Sequence, residues 1–80
     1  MNTVLGETTC ANSTAVFAYC PAGQTAIGGS YALRGWSKGS NHNSPDSMAL
    51  DPAQNRFYIT TPNNSQGQAC FQAIVNCTTE

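Results

Sequence analysis

His42 is the only histidine of the chain, and the segment around it also contains Ser40, Ser44 and Asp46. These residue types form the triads of serine hydrolases, in which the histidine takes the proton of the attacking hydroxyl. Such triads are held in position by separate elements of a rigid scaffold, whereas these residues follow one another in one polar segment. We therefore interpret them as solvated turn residues and expect the protein not to be an enzyme.

The residues that commonly bind metals or carry acid–base chemistry also lack a productive spacing. The cysteines have no C-x2-C pair, and a lone histidine offers no second nitrogen ligand. Nothing in the acidic residues favours the paired carboxylates of glycoside hydrolysis, because two of the four, Glu7 and Glu80, lie near the chain ends. The pair Gly28-Gly29 lacks the Lys-Ser/Thr of a phosphate-binding loop. We expect no metal and no cofactor.

The cysteines are best interpreted as disulfides, because a hydrophobic core alone gives a domain of eighty residues only marginal stability. If residues 69–77 form one strand, Cys70 and Cys77 lie about 23 Å apart. A disulfide needs Cα atoms within about 7 Å, so that pair is excluded. Two arrangements remain: Cys10–Cys70 with Cys20–Cys77, or Cys10–Cys77 with Cys20–Cys70. Cys77 lies on the more apolar face of its strand, so its side chain is expected to face the core. This position favours a bond with Cys20, which belongs to the central unit described below.

A ligand-binding surface is the remaining chemical possibility. Trp36, the single tryptophan, lies in a polar segment with Asn41, His42 and Asn43. Aromatic rings cover the apolar C–H face of a sugar, and amide and imidazole groups bond its hydroxyls. We predict that these four residues bind the ligand. Trp36 folding back over a small core is about equally compatible with the sequence.

The elements that must position these residues are β-strands. The β-branched and aromatic stretches 14–19, 25–33, 56–61 and 69–77 predict four clear strands, and residues 47–50 form a strand or a turn of helix. The connection from Arg34 to Gln54 is long enough to suggest a functional loop. No stretch has helical periodicity with caps. The sequence predicts an all-β fold, a small antiparallel β-sandwich held by disulfides.

Residues 20–31 form the predicted central unit. Cys20 is followed by a Pro-Ala-Gly turn and by a strand that Gly28-Gly29 interrupts. Glycine inside a strand marks a bulge or a close backbone approach. We expect one of these two glycines to adopt a conformation that a β-branched residue cannot.

Composition excludes several classes of protein. Three basic residues and a net charge of −1 argue against a nucleic-acid partner, and no apolar run is long enough for membrane insertion. Ser, Thr and Asn make up 24 of the eighty residues, which is typical of strand-rich extracellular surfaces. The first residues lack the pattern of a signal peptide. We predict an entry segment or stalk junction at 1–13, with one short strand, and a single β head domain at 14–80.

Four short motifs of the chain occur together in one known family: Cys-Pro-Ala-Gly-Gln-Thr-Ala-Ile-Gly-Gly-Ser-Tyr from Cys20, a later Asn-Ser-Pro, Arg-Phe-Tyr-Ile-Thr-Thr-Pro-Asn-Asn, and Ala-Ile-Val-Asn-Cys. In these motifs the chain resembles the compact β head domains that end shufflon-type pilus adhesins, phage tail fibres and related bacterial surface fibres. The resemblance covers residues 14–77. Ser30 stands in place of a frequent third glycine, Arg56-Phe57 in place of Gly-Trp, and Cys10 with Cys70 is an additional pair.

The resemblance implies a Cys20–Cys77 bridge, a non-enzymatic head and a fibrous, often trimeric parent protein. On that basis we expect a receptor-binding tip domain at the cell surface or on a virion fibre, with a cell-surface glycan or similar receptor as its partner and a homotrimer as its assembly. The alternative is a small secreted cysteine-stabilised inhibitor or toxin-like protein. A third interpretation is a trimerising cap without a ligand.

Overall fold

The computed structural model describes residues 1–37, 39, 42–64 and 67–78, which form two antiparallel three-stranded sheets. The first sheet has the strand order β1-β6-β3 and the second has the order β2-β5-β4. The strands are β1 (Asn2–Thr9), β2 (Ala15–Tyr19), β3 (Ala26–Trp36), β4 (Ser47–Asp51), β5 (Arg56–Thr60) and β6 (Ala69–Cys77), with a 3₁₀ turn at Pro52–Gln54. The all-β prediction is confirmed. Within the described ranges there is no helix with the length and apolarity needed to cross a membrane.

The core lies between the sheets and is built on strand alternation. Every second residue of β6 is buried: Ala69, Phe71, Ala73, Val75 and Cys77. The second sheet contributes Phe57 and Ile59 from β5 and Val16 and Ala18 from β2. Because successive side chains of a strand point to opposite faces, the other residues of β6 lie on the outer surface. β6 is the central strand of its sheet and carries the largest share of this core.

Two disulfides join the last strand to the first third of the chain. Cys10 is bonded to Cys70, and Cys20 is bonded to Cys77. The single-strand interpretation of residues 69–77 is confirmed, since β6 runs without a break between the two bonded cysteines. Two disulfides in so small a domain are typical of proteins from an oxidising compartment.

Residues 2–9, expected to be an entry segment with one short strand, form a full edge strand of the first sheet. β1 pairs with β6 from Asn2, opposite Cys77, to Thr9, opposite Phe71. It also closes one side of the sandwich, because a Cβ on Gly6 would lie 2.5 Å from the Cβ of Ala18. The segment is therefore an integral strand of the sandwich. The close approach of β1 to Ala18 requires glycine at position 6.

The long connection predicted from Arg34 to Gln54 contains strand residues at its start, up to Trp36, and again at Ser47–Asp51. β3 continues to Trp36, which lies opposite Ala69 of β6, and β4 pairs with β5 along its whole length. The irregular part of the connection, where the structure describes it, is confined to the interval between Trp36 and Ser47. Backbone pairing with neighbouring strands extended both elements beyond what the local sequence indicated.

The two central glycines have different roles in β3. The register with β6 shifts between Ala26 and Gly28, which is the expected bulge. Neither Gly28 nor Gly29 has a positive φ, so neither uses the left-handed backbone conformation that favours glycine. Gly29 is required for space, since a Cβ there would lie 2.2 Å from Cγ of Phe57.

Candidate functional site

The connections of the sandwich that carry the predicted ligand residues emerge at one end. Trp36 lies opposite Ala69 at the end of β3, and Ala15 and Ser47 both lie opposite Thr60 at the end of β5. The segments 10–14, 37–46 and 61–68 therefore leave the sheets on the same side, which we call the loop end. Asn2 and Cys77 pair at the opposite end, where both termini of the described chain lie.

Thr61 ties the first of these segments to the third. This residue is buried, and its hydroxyl donates to the carbonyl of Ala11 and accepts from the amide of Thr14, each at 2.8 Å. Its own amide donates to the carbonyl of Thr14 at 2.9 Å. The threonine side chain thus adds two hydrogen bonds to the backbone pairing that continues beyond the end of β5.

Asn64 ties the second segment to the third. Its side chain is buried and binds both backbone groups of His42: Oδ1 accepts from the amide at 2.9 Å, and Nδ2 donates to the carbonyl at 3.0 Å. The backbone of Asn64 in turn exchanges two hydrogen bonds with the side chain of Asn12. One asparagine therefore fixes His42 against a segment that lies 22 residues away in sequence. No local signal in the sequence identified this link.

Trp36 is exposed, and its backbone is fixed. Its side chain retains 64 % of its accessible surface, so it does not cover the core as a lid. The next residue, Ser37, donates its amide to the carbonyl of Gln68 at 2.8 Å and accepts from the amide of Gln68 at its hydroxyl. An indole held on a rigid strand end and open to solvent is suitable for stacking on a ligand.

The other predicted ligand residues are placed as follows. His42 and Asn43 are both exposed and lie in the 37–46 segment at the loop end. Asn41 falls outside the described residues, as does Ser40 of the imagined triad. In the part of the chain that the structure describes, no group of three or more His, Cys, Asp or Glu residues could hold a metal ion.

A second candidate surface, which the sequence did not indicate, lies on the outer face of the second sheet. Val16 and Ala18 occupy the inward positions of β2, so the phenyl ring of Phe17 points outward. There its ring centroid lies 6.2 Å from that of Tyr19 and 6.0 Å from that of Tyr58. Three aromatic rings from two adjacent strands thus form one outer cluster.

Arg56 is held within this cluster by three kinds of contact. Nε donates to the Asp51 carboxylate at 3.0 Å, and Nη1 donates to the Tyr19 hydroxyl at 3.0 Å. The guanidinium carbon lies 4.3 Å from the centroid of the Phe17 ring, which is the geometry of a cation–π interaction. The hydrogen bonds with Tyr19 and then Asp51 raise the pKa of Arg56 above its ordinary value.

An open depression of about 520 Å³ lies beside this arginine. Its lining combines apolar surface with a charged pair and consists of Ala15, Phe17, Leu50, Asp51, Arg56 and Tyr58. Aromatic and aliphatic walls with a few convergent polar groups are typical of small-molecule sites. We call this surface the lateral depression.

Comparisons with family models, with curated proteins and with solved structures give no match to this chain.

Proposed function

We propose that this domain is a non-enzymatic, adhesin-like receptor-binding head that recognises a neutral cell-surface ligand, such as a glycan, through its loop end. The observation that carries the proposal is the exposed Trp36 at the end opposite to both termini. If the head is attached to a fibre through its N-terminal side, the loop end becomes the distal surface. That surface is the first to meet a target cell.

The chemistry of the loop end favours a neutral ligand. Trp36 offers an apolar ring, and His42 and Asn43 offer imidazole and amide groups on the same segment. The whole chain has three basic and four acidic residues, so no strong field attracts an ionic partner. Binding through stacking and hydrogen bonds should be weak at each site and nearly independent of salt.

Weak single sites are made effective by multivalency, which a fibre with several heads provides. We propose that the head acts as a homotrimer in an extracellular fibre, on a bacterial surface or at a virion tip. The disulfides support an oxidising location. The free edges of β3 and β4, which carry the exposed Leu33 and Met48, support an assembly between heads.

The test is a glycan array probed with the purified, disulfide-intact domain, followed by binding to cells that display the glycan found. Trp36→Ala and Asn43→Ala should each raise the Kd for the ligand by about tenfold, which corresponds to about 1.4 kcal/mol. Leu5→Ala is the matched control, because Leu5 is exposed on β1 of the first sheet, away from the loop end. Circular dichroism checks that each variant is folded.

Undiminished binding by both loop variants would remove the ligand site from the loop end. Binding that falls steeply between low and high salt would exclude neutral recognition. A domain that binds no glycan on the array and no cell would overturn the proposal as a whole.

A further inference from the structure

We propose that the lateral depression is a second binding site, independent of the loop end, and that its ligand is a neutral monosaccharide ring. The depression lies on the outer face of the second sheet, where β2, β4 and β5 bring its six lining residues together. Its volume of about 520 Å³ falls within the range of about 300–1,000 Å³ that is usual for small-molecule sites.

The charged pair gives the site its polar specificity. A guanidinium carries five N–H groups, of which Arg56 uses one at Nε for Asp51 and one at Nη1 for Tyr19. Its remaining N–H groups are donors, and the second oxygen of Asp51 is an acceptor. A sugar hydroxyl can accept from the guanidinium and donate to the carboxylate at the same time, because it is both donor and acceptor.

The opposite charges of Arg56 and Asp51 select against ionic ligands. Asp51 lies 3.0 Å from Nε of Arg56, so the pair is neutral as a unit. A carboxylate or phosphate drawn to Arg56 would meet the repulsion of Asp51, and an amine drawn to Asp51 would meet that of Arg56. A neutral polyol bonds both groups without this penalty.

The apolar walls fit the other face of such a ring. Ala15 supplies aliphatic surface, and Tyr58 supplies an aromatic ring with a hydroxyl at its edge. The axial C–H groups of a pyranose need surfaces of this kind. Arg56 is also fixed before the ligand arrives, by Asp51, Tyr19 and the Phe17 ring, so little side-chain entropy is lost on binding.

The experiment is an NMR titration of the ¹⁵N-labelled, disulfide-intact domain with the methyl glycosides of glucose, galactose, mannose and N-acetylglucosamine. N-acetylneuraminic acid serves as the anionic probe. The amides of Ala15, Leu50 and Tyr58 report the lateral depression, and the indole N–H of Trp36 reports the loop end. We expect at least one neutral glycoside to shift the depression signals saturably at millimolar concentrations, with little effect of added salt.

Variants test the assignment. Arg56→Gln should weaken this binding by about tenfold or more, the size expected for a lost hydrogen bond to a charged group. Arg34→Gln is the matched control: it removes the same charge from the other sheet, where Nε of Arg34 bonds Gln72, and should leave binding unchanged. Tyr58→Phe, which removes only a hydroxyl, takes the place of Arg56→Gln if that variant does not fold. Asp51→Asn removes the repulsion and should raise the affinity for N-acetylneuraminic acid.

The proposal is overturned if no neutral glycoside shifts the depression signals up to tens of millimolar, or if N-acetylneuraminic acid alone binds the unmodified domain. It is equally overturned if Arg34→Gln and Arg56→Gln weaken binding to the same extent. Shifts confined to the indole of Trp36 would place the ligand at the loop end and leave the depression without one.

Discussion

At the scale of single residues, close packing decides which glycines can be replaced. A Cβ on Gly29 would lie 2.2 Å from Cγ of Phe57 and 2.6 Å from the carbonyl oxygen of Ile74. The second atom belongs to the backbone of the central strand, which cannot move aside without disturbing both of its neighbours. A Cβ on Gly28 would meet only the side-chain nitrogen of Asn76, at 4.0 Å.

We therefore predict that Gly29→Ala and Gly28→Ala behave differently. Overpacking at Gly29 should cost about 1–3 kcal/mol, and in a domain of this size each kcal/mol lowers the melting temperature by roughly 4–8 °C. Gly28→Ala should leave the melting temperature unchanged or raise it slightly, because alanine restricts the unfolded chain. Thermal unfolding followed by circular dichroism measures both. Equal melting temperatures for the two variants would contradict the tight contact between β3 and Phe57.

Asn64 shows how much one polar side chain can organise. It is almost fully buried, yet both the oxygen and the nitrogen of its side-chain amide form hydrogen bonds with the backbone of His42. A buried amide is tolerated when its groups are paired. The backbone of His42, and hence part of the proposed loop-end site, is positioned by this asparagine.

At the scale of elements, the two disulfides fix opposite ends of β6. Cys77 is fully buried at the end of the termini, whereas Cys10 is exposed at the loop end. Each bond closes a long loop, with sequence separations of 60 for Cys10–Cys70 and 57 for Cys20–Cys77. Both should therefore stabilise the fold chiefly by restricting the unfolded chain.

We predict that limiting reductant opens Cys10–Cys70 before Cys20–Cys77, because thiol–disulfide exchange requires access to a sulfur atom. Alkylation followed by peptide mapping identifies the cysteines released at each time. Replacing Cys20 and Cys77 together with alanine should cost about 2–5 kcal/mol. Earlier release of the buried bond would mean that the end near the termini opens first.

At the scale of the whole molecule, the two sides of the sandwich differ. Between β1 and β2 the two sheets are in close contact, because Gly6 packs against Ala18. The Glu7 carboxylate also accepts a hydrogen bond from the amide of Phe17. On the side of β3 and β4, Leu33 and Met48 lie on the same faces as buried partners, because they pair opposite Phe71 and Ile59. Both nevertheless remain partly exposed, at 37 % and 48 % of their surface.

We expect this open side to form the contact between heads in the proposed homotrimer. Size-exclusion chromatography with light scattering should give three times the mass of one chain, and Met48→Glu should give a single chain of unchanged fold. Leu5→Glu, at an exposed apolar position on the other edge of the first sheet, is the control and should remain trimeric. A single-chain mass for the unmodified domain would contradict the trimer and would favour the inhibitor-like alternative.

The sequence by itself determined the strand class and much of the covalent frame. Alternation in residues 69–77 and the reach of an extended strand excluded the Cys70–Cys77 pair, and β-branched and aromatic runs located β2, β3, β5 and β6. These are local properties, because strand periodicity and chain reach depend on residues that are close in sequence. The close chain approach within Gly28-Gly29 was also signalled locally, although space and not φ is its cause.

Only the tertiary structure decided which face of each strand points into the core and which distant residues come into contact. β2 has apolar residues on both faces, and the close approach of Gly6 admits Ala18 but leaves no room for a phenyl ring, so Phe17 lies outside. The Arg56 cluster draws on three strands, and Asn64 reaches His42 across 22 positions. Such contacts follow from the packing of two sheets, which no pattern within a single strand specifies.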